Sequence, residues 1–280
     1  MQFARCGDID MLASNEKLFL DSGAFSAWTQ QGAINLEEYI GYIKKNSHLL
    51  RAYFNLDVLP GVRGQKRSSE IIEVAARQSY TNLKKMKRAG LTPIPVFHQG
   101  DRMYWLERML IDAEPYIALA TEKNKDWDGN VDWLDRVFSL LVDAEGLPRM
   151  KVHGLGIAGY RMLRRYPWTT CDASSWAMSA AYGSVNIPPN RGDSPDYLAD
   201  PLRVGITDTD RKSGRTTPGH YRSYGTITQS YIQSFLENEV GVTVQQCVED
   251  YYRRAQVNVF TMVKFQQALG QVRFRPEVLV

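Results

Sequence analysis

A TIM-type (β/α)8 barrel is the fold class this sequence predicts, on three observations. Short apolar runs alternate with amphipathic helical patterns through the first two-thirds of the chain, which is the rhythm of parallel βαβ units. The rhythm repeats six times without a switch in pattern, and that favours a barrel over a doubly wound sheet. The chain has 280 residues, and a single barrel typically takes about 250. No GxGxxG follows the first apolar run, which argues against a dinucleotide-binding sheet. The whole chain, 1–280, is read as one domain.

The elements follow in order. KLFL (17–20) reads as the first strand and runs into the turn-like DSGAFS. LEEYIGYIKKNSHLL (36–50) has helical spacing, and AYFNLDV (52–58) is a strand stopped by Pro60-Gly61. Residues 68–90 form the clearest helix, with Ser68 or Ser69 as N-cap and Gly90 closing it. TPIPVF (92–97) and YIALAT (116–121) are strands, separated by the helix YWLERMLIDA (104–113). The helix over 131–146 leads to a strand and its loop, KVHGLGIA (151–158), and then to a short helix at 160–166. WTTCDAS (168–174) ends the last strand of the series, before helical SSWAMSAAYG. Beyond about residue 182 the rhythm stops. Residues 183–225 are rich in Pro, Gly, Ser and Arg and read as an irregular basic insertion, and 226–280 read as a helical C-terminal region.

Composition narrows the function classes. The hydrophobic fraction of 44% and charged fraction of 23% are those of a globular protein. No apolar run reaches the roughly 18 residues of a membrane span, and MQFARCGDID lacks an apolar core of signal-peptide type. The expected location is the cytoplasm. Cys6, Cys171 and Cys247 make no CxxC pair, and the four histidines make no HExxH or HxH pattern. Neither a metal site nor a disulfide framework is expected, and no cofactor. A net charge of +3 is too mild to indicate nucleic acid by itself. Its distribution is more informative: Arg203, Arg211, Lys212, Arg215 and Arg222 crowd the segment 201–225, and Lys84, Lys85, Lys87 and Arg88 cluster on a helix. These read either as solvated faces or as a nucleic-acid-binding surface.

In a β/α barrel the chemistry gathers where the C-terminal ends of the strands meet. The polar residues at those ends are Asp21, Asp57, His98 with Gln99, Thr121 with Glu122, His153 and Asp172. A carboxylate inside an apolar segment is costly unless paired or hydrogen-bonded, so three at matching positions suggest a shared site. Each has a plainer reading. Asp21 and Asp57 suit turns, Asp172 suits the N-cap of the helix that follows, and His98 and His153 suit structural roles.

At these residues the pattern resembles a known family. LDSGAFSAW (20–28), FNLDVLPG (54–61), VFHQG (96–100), HGLGIAG (153–159) and TTCDASSW (169–176), in that order, resemble the tRNA-guanine transglycosylase superfamily. They look most like its short phage and bacterial DNA-modifying branch, the DpdA-type deazapurine DNA transglycosylases. The resemblance implies a pentosyltransferase that exchanges guanine for a 7-deazaguanine derivative through a covalent aspartyl-glycosyl intermediate. Asp172 would be the nucleophile and Asp21 the acid/base. Asp57, Gln99, Gly154 and Leu155 would bind the base, with Ser22, Phe25 and His98 beside them. Alanine replaces the family's second glycine at Ala24, and the cysteines of the family's zinc site are missing after Asp172. DNA is therefore favoured over tRNA as the polymer partner, a free deazaguanine base is the second partner, and two copies pairing is a family habit. The expected polymer contact is the Arg-rich segment.

The chemistry suits those residue types. Base exchange on one sugar face calls for a covalent intermediate, as in two-carboxylate retaining glycosidases. An acid must protonate the departing guanine, and a carboxyl raised toward neutrality serves. An ionised Asp57 can accept both N1–H and the 2-amino group, while donors from Gln99 and the backbone at Gly154 or Leu155 would meet O6. Phe25 or Tyr160 could stack on the base. Two other readings use the same barrel: a nucleoside or glycoside hydrolase, and a non-catalytic nucleic-acid-binding scaffold.

Overall fold

The computed structural model describes residues 18–62, 64–112, 115–122, 127–192, 194–207 and 219–275. Its centre is a row of six parallel strands: β1 (Leu18–Leu20), β2 (Leu50–Tyr53), β3 (Val96–His98), β4 (Tyr116–Ala120), β5 (Lys151–Leu155) and β6 (Thr170–Cys171). β1 pairs with β2, and β3 to β6 pair in sequence order. A parallel bridge from Phe54 to Ile94 joins the two groups. The Asn55 side chain reinforces that join: its Oδ1 accepts from Val96 N at 2.9 Å, and its Nδ2 donates to Ser79 O at 3.2 Å.

Between the strands run α1 (Ala24–Thr29), α2 (Leu36–Lys45), α3 (Ser69–Arg88), α4 (Met103–Asp112), α5 (Trp127–Leu141) and α6 (Tyr160–Arg165). Local chemistry sets their ends. Asn35 caps α2 by accepting from Glu37 N and Glu38 N, and Ser68 caps α3 by accepting from Ile71 N. Gly90 leaves α3 with φ +81°, a conformation that costs glycine little.

The strands alternate between two covered faces. Phe97, Ile117, Leu119 and Val152 pack outward with the helical residues Leu106, Leu134 and Phe138. Phe54, Ile94, Val96 and Ala118 form a smaller inner cluster, with Tyr116, Ala120 and Leu155 against it. Burial on both sides is the usual state of a parallel sheet. The row also curls. Phe19 on β1 stacks on His153 of β5 with ring centroids 6.2 Å apart, whereas four flat strand spacings would separate them by roughly 19 Å.

Past β6 the pattern changes, and over 184–205 paired strands replace the start of the irregular insertion expected at 183–225. After α7 (Ser175–Ala181), β7 (Ser184–Ile187) pairs antiparallel with β10 (Leu202–Gly205), around a small ladder of β8 (Asn190–Arg191) and β9 (Ser194–Pro195). An eightfold parallel repeat is thus not continued among the described residues. Val185, Ile187, Val204 and Ile206 alternate inward into a second core with Ile232, Phe235, Leu236 and Val257. That apolar alternation supplies the strand pairing which the Pro- and Gly-rich composition obscured.

Helices follow up to Leu269: α8 (Thr226–Ser234), a π-helical stretch (Phe235–Val240), α9 (Val244–Glu249) and α10 (Tyr251–Leu269). Thr243 and Gln246 form a reciprocal capping box at α9. Asn258 of α10 is fully buried, donates to Trp176 O and Ser184 O, and accepts from Asn186 N. It stitches α10 to α7 and β7. Phe274 then returns to the first core against Phe138 and Tyr166. Among the described residues no helix is long and apolar enough to cross a membrane.

Candidate active site

Because the six strands are parallel, their C-terminal ends share one edge, and the polar residues read from the sequence meet there. Asp57 lies three residues past Phe54 and is 8% exposed. Both its oxygens are engaged: Ser22 Oγ donates to Oδ1 at 2.8 Å, and His98 Nε2 meets Oδ2 at 2.7 Å. Ser22 Oγ in turn accepts from Ala24 N at 3.2 Å, which fixes the start of α1. The Asp57–His98 contact holds the His98 imidazole above its ordinary pKa, although burial opposes this.

Asp101 is a fourth aspartate at this edge. It follows His98 in a tight turn, accepts from His98 N at 3.4 Å, and is pushed up to about 6 chiefly by burial. Sequence reading passed over it, because the segment was read for its Gln-Gly pair.

Asp21 follows β1 and opens to solvent at the mouth. Its carboxyl is raised first by desolvation on its inner side, then by the charge of Asp57, and further by that of Asp172. The charges of both other aspartates therefore reach the Asp21 carboxyl. Tyr39 lies under them: its hydroxyl donates to Phe54 O at 2.9 Å, and burial with the charges of Asp21 and Asp57 raises its pKa.

Asp172 follows β6, and its side chain is 59% exposed. Oδ1 accepts from His153 Nε2 at 3.0 Å and from Gly156 N at 3.1 Å. Burial pushes its pKa up, but these two donors outweigh burial and the net shift is downward. It does not cap α7, which has Ser174 at its N-cap position. Behind it runs a hydrogen-bond chain that the sequence did not disclose. His153 Nδ1 meets Thr170 Oγ1 at 2.7 Å, and Thr170 Oγ1 meets the Tyr116 hydroxyl. The inward alternation of β4 and β5 was the one available signal, since it puts Tyr116 and His153 on the same side as Ala118.

Other expected residues divide. Gly154 is needed for packing: a Cβ there would lie 2.9 Å from Ile157 Cγ1 and 3.0 Å from Cys171 Sγ. Its carbonyl accepts from Asp172 N at 3.2 Å. Leu155 packs into the inner cluster. Phe25 is 41% exposed on α1, its ring 6.0 Å from that of Trp28. Gln99 is turned away from the expected role. Its Nε2 donates to Gly129 O at 2.9 Å and its Oε1 accepts from Glu122 N at 2.8 Å, so the amide ties the first turn of α5 to the loop after β4 instead of facing the aspartates.

Arg203 is exposed on β10, and Arg222 is exposed on a 3-10 turn (Tyr221–Ser223). Arg211, Lys212 and Arg215 lie outside the described residues. Among the described residues no group of three or more His, Cys, Asp or Glu side chains is arranged to hold a metal ion. A cavity of about 400 Å³ lies beside Asp57, walled by Ala24, Trp28, Leu36, Leu56 and Lys85. Asp21 and Asp172 face open solvent instead.

Compared with known proteins, the chain matches no family model, no curated protein and no solved structure.

Proposed function

We propose that this protein is a base-exchange transglycosylase that replaces guanine by a 7-deazaguanine derivative in nucleic acid, with DNA as the favoured polymer. The observation that carries the reading is the convergence of Asp21, Asp57 and Asp172 at one edge of parallel strands, with Asp21 raised and Asp172 lowered in pKa. Opposite shifts on neighbouring carboxyls are what an acid and a nucleophile need. The curled row of strands supports its closing as a β/α barrel, and the site edge matches the catalytic edge of that fold.

In this reading the target nucleotide is flipped out or single-stranded, since a duplex hides the anomeric carbon. Asp172 attacks that carbon and Asp21 gives its proton to the departing guanine. Each Asp57 oxygen already holds one protein donor, and a carboxylate oxygen has room for another. Guanine N1–H and the 2-amino group fill those places. Adenine lacks that donor pair and would leave buried acceptors unmet, at about 1–3 kcal/mol for each. With Gln99 occupied elsewhere, O6 is left to backbone donors. Exposed cations such as Arg203 would hold phosphates without reading sequence.

Mass spectrometry of nucleosides from DNA and tRNA, each incubated with the protein and cyano-, aminomethyl- or amidino-substituted deazaguanine, tests this. Incorporation in DNA that Asp172→Ala abolishes is expected. Full exchange by Asp172→Ala would remove the residue from its role.

One observation favours a second reading. The openness of Asp172 to solvent would let water complete the reaction, making the protein a nucleoside hydrolase. Release of guanine with no deazaguanine present would favour that reading.

A further inference from the structure

We infer that Tyr116, Thr170 and His153 form a positioning chain that commits Asp172 to attack through a single oxygen, Oδ2. The inference rests on the transglycosylase reading above and adds to it the orientation of the nucleophile.

The geometry is directional. Oδ1 of Asp172 receives two donors, His153 Nε2 and Gly156 N. Among the described residues no hydrogen-bond partner approaches Oδ2. For Nε2 to donate in a neutral imidazole, Nδ1 must accept, and Thr170 Oγ1 lies 2.7 Å from it. Thr170, whose hydroxyl then donates to His153 Nδ1, accepts from the Tyr116 hydroxyl. Every group then has a partner with no charge on the ring. Strand register builds the chain: His153 lies opposite Thr170 on β6 and opposite Ala118 on β4, two residues from Tyr116.

The ring is also locked. The His153 side chain is 5% exposed, with Phe19 stacked on it at 6.2 Å and Phe54 tilted against it at 4.9 Å. Turning it over would put carbon where Asp172 needs a donor.

The chemical consequence covers both halves of the exchange. In the first, a lone pair of Oδ2 forms the bond to the anomeric carbon. The carbon–nitrogen bond breaks, and its electron pair leaves with guanine, which takes the Asp21 proton. Oδ1 becomes the ester carbonyl and keeps both donors. In the second, the Asp21 carboxylate takes the ring N–H proton of the incoming base, whose nitrogen attacks the same carbon. The bond to Oδ2 breaks and its electron pair returns to the carboxylate, where the two donors stabilise the charge as it arrives.

The charged and titratable groups facing Asp172 are Asp21 across the mouth, the Cys171 thiol beside it, and His153. Burial lifts Cys171 to about 12, so it stays uncharged. The far end of the chain, Tyr116, has Arg51 and Lys151 nearby.

The test uses the full chain with carbon-13-labelled aspartate carboxyls, Asp172 being assigned by its loss in Asp172→Asn. Its titration is followed by NMR, and trapping of the glycosyl adduct is timed in parallel. His153→Leu should move the Asp172 titration upward by about one pH unit and slow adduct formation on the order of 10–100-fold, with the KM for free base unchanged. His153→Gln, whose amide nitrogen reaches the position of Nε2, should restore most of both. Thr170→Val and Tyr116→Phe should give smaller shifts in the same direction.

An unchanged titration and wild-type trapping rate in His153→Leu would overturn the inference while leaving the transglycosylase reading intact. A wild-type protein that traps no adduct would sink that reading, and the attack step inferred here with it, whatever the titration shows.

Discussion

Replacing Asp101 by asparagine should make the protein more stable above pH 6. Asp101 sits in the turn after β3, and burial, helped by the charges of Asp57 and Glu73, lifts its carboxyl from 3.8 to about 6. A tenfold displacement of a proton equilibrium is worth about 1.4 kcal/mol, so the ionised carboxylate costs the fold roughly 3 kcal/mol. The sign follows from linkage. The folded chain holds this proton more tightly than the unfolded chain, so the penalty is absent below the unfolded value and fully present above the folded one. Asparagine carries no charge at any pH and keeps an oxygen to accept from His98 N. Two terms reduce the gain. The Asp101 charge helps His98 keep its proton, and the new amide N–H₂ needs a partner, which leaves a net gain of about 1–2 kcal/mol. Urea unfolding at pH 8 and pH 4 measures it. The variant midpoint should exceed wild type at pH 8 and approach it at pH 4. A variant less stable at pH 8, or equally stabilised at both, would refute the assignment of strain to the ionised carboxylate.

Other perturbations have equally definite outcomes. If Asp21 is the acid, its raised pKa means activity falls as pH rises through it; Asp21→Asn should cost about 10²–10⁴-fold in kcat and erase that alkaline limb, and a retained limb would assign it to another group. Gly154→Ala drives a methyl against Ile157 and Cys171 at about 3 Å and should cost about 1–3 kcal/mol, seen as a lower Tm; a wild-type Tm would mean that the β5–β6 junction yields easily. Asn258→Ala removes three hydrogen bonds between α10, α7 and β7 and should cost roughly 2–4 kcal/mol by urea unfolding, a loss below 0.5 kcal/mol (about the scatter of surface changes) contradicting its role as a stitch.

The sequence disclosed the strand series well, because the inner and outer faces leave a mark every second residue: Ile117 and Leu119 outward, Ala118 between them inward. It also placed Asp57, Asp172 and His98 at or just past strand ends, since a charged or polar group closing an apolar run is conspicuous. It misread β7 and β10, where Pro, Gly and Arg in the connection masked the alternation of Val185 with Ile187 and of Val204 with Ile206. It misassigned Gln99, whose partners are backbone groups 23 and 30 residues away. No local pattern encodes such partners. Thr170 and Tyr116 escaped for a related reason: a hydroxyl on a strand has no sequence signature until the register brings an imidazole beside it.

The assignment of roles to Asp21 and Asp172 depends on donors rather than on position. Both close parallel strands, and Asp21 feels the charge of Asp172. Asp172 has an imidazole and a backbone N–H on one oxygen, and these overcome its desolvation. Asp21 has the backbone N–H groups of Ser22 and Gly23, which do not overcome desolvation and the repulsion of Asp57. Asp21 therefore holds a proton more tightly than Asp172 does. Because the charge of Asp172 raises Asp21, weakening the donors on Asp172 should alter both. Loss of the His153 hydrogen bond should raise Asp172 and, by removing part of its charge, lower Asp21, bringing the two carboxyls toward a common value. A labelled-carboxyl titration of His153→Leu in which Asp21 stays fixed while Asp172 moves would show that the charges do not communicate, and the division between acid and nucleophile would then need another cause.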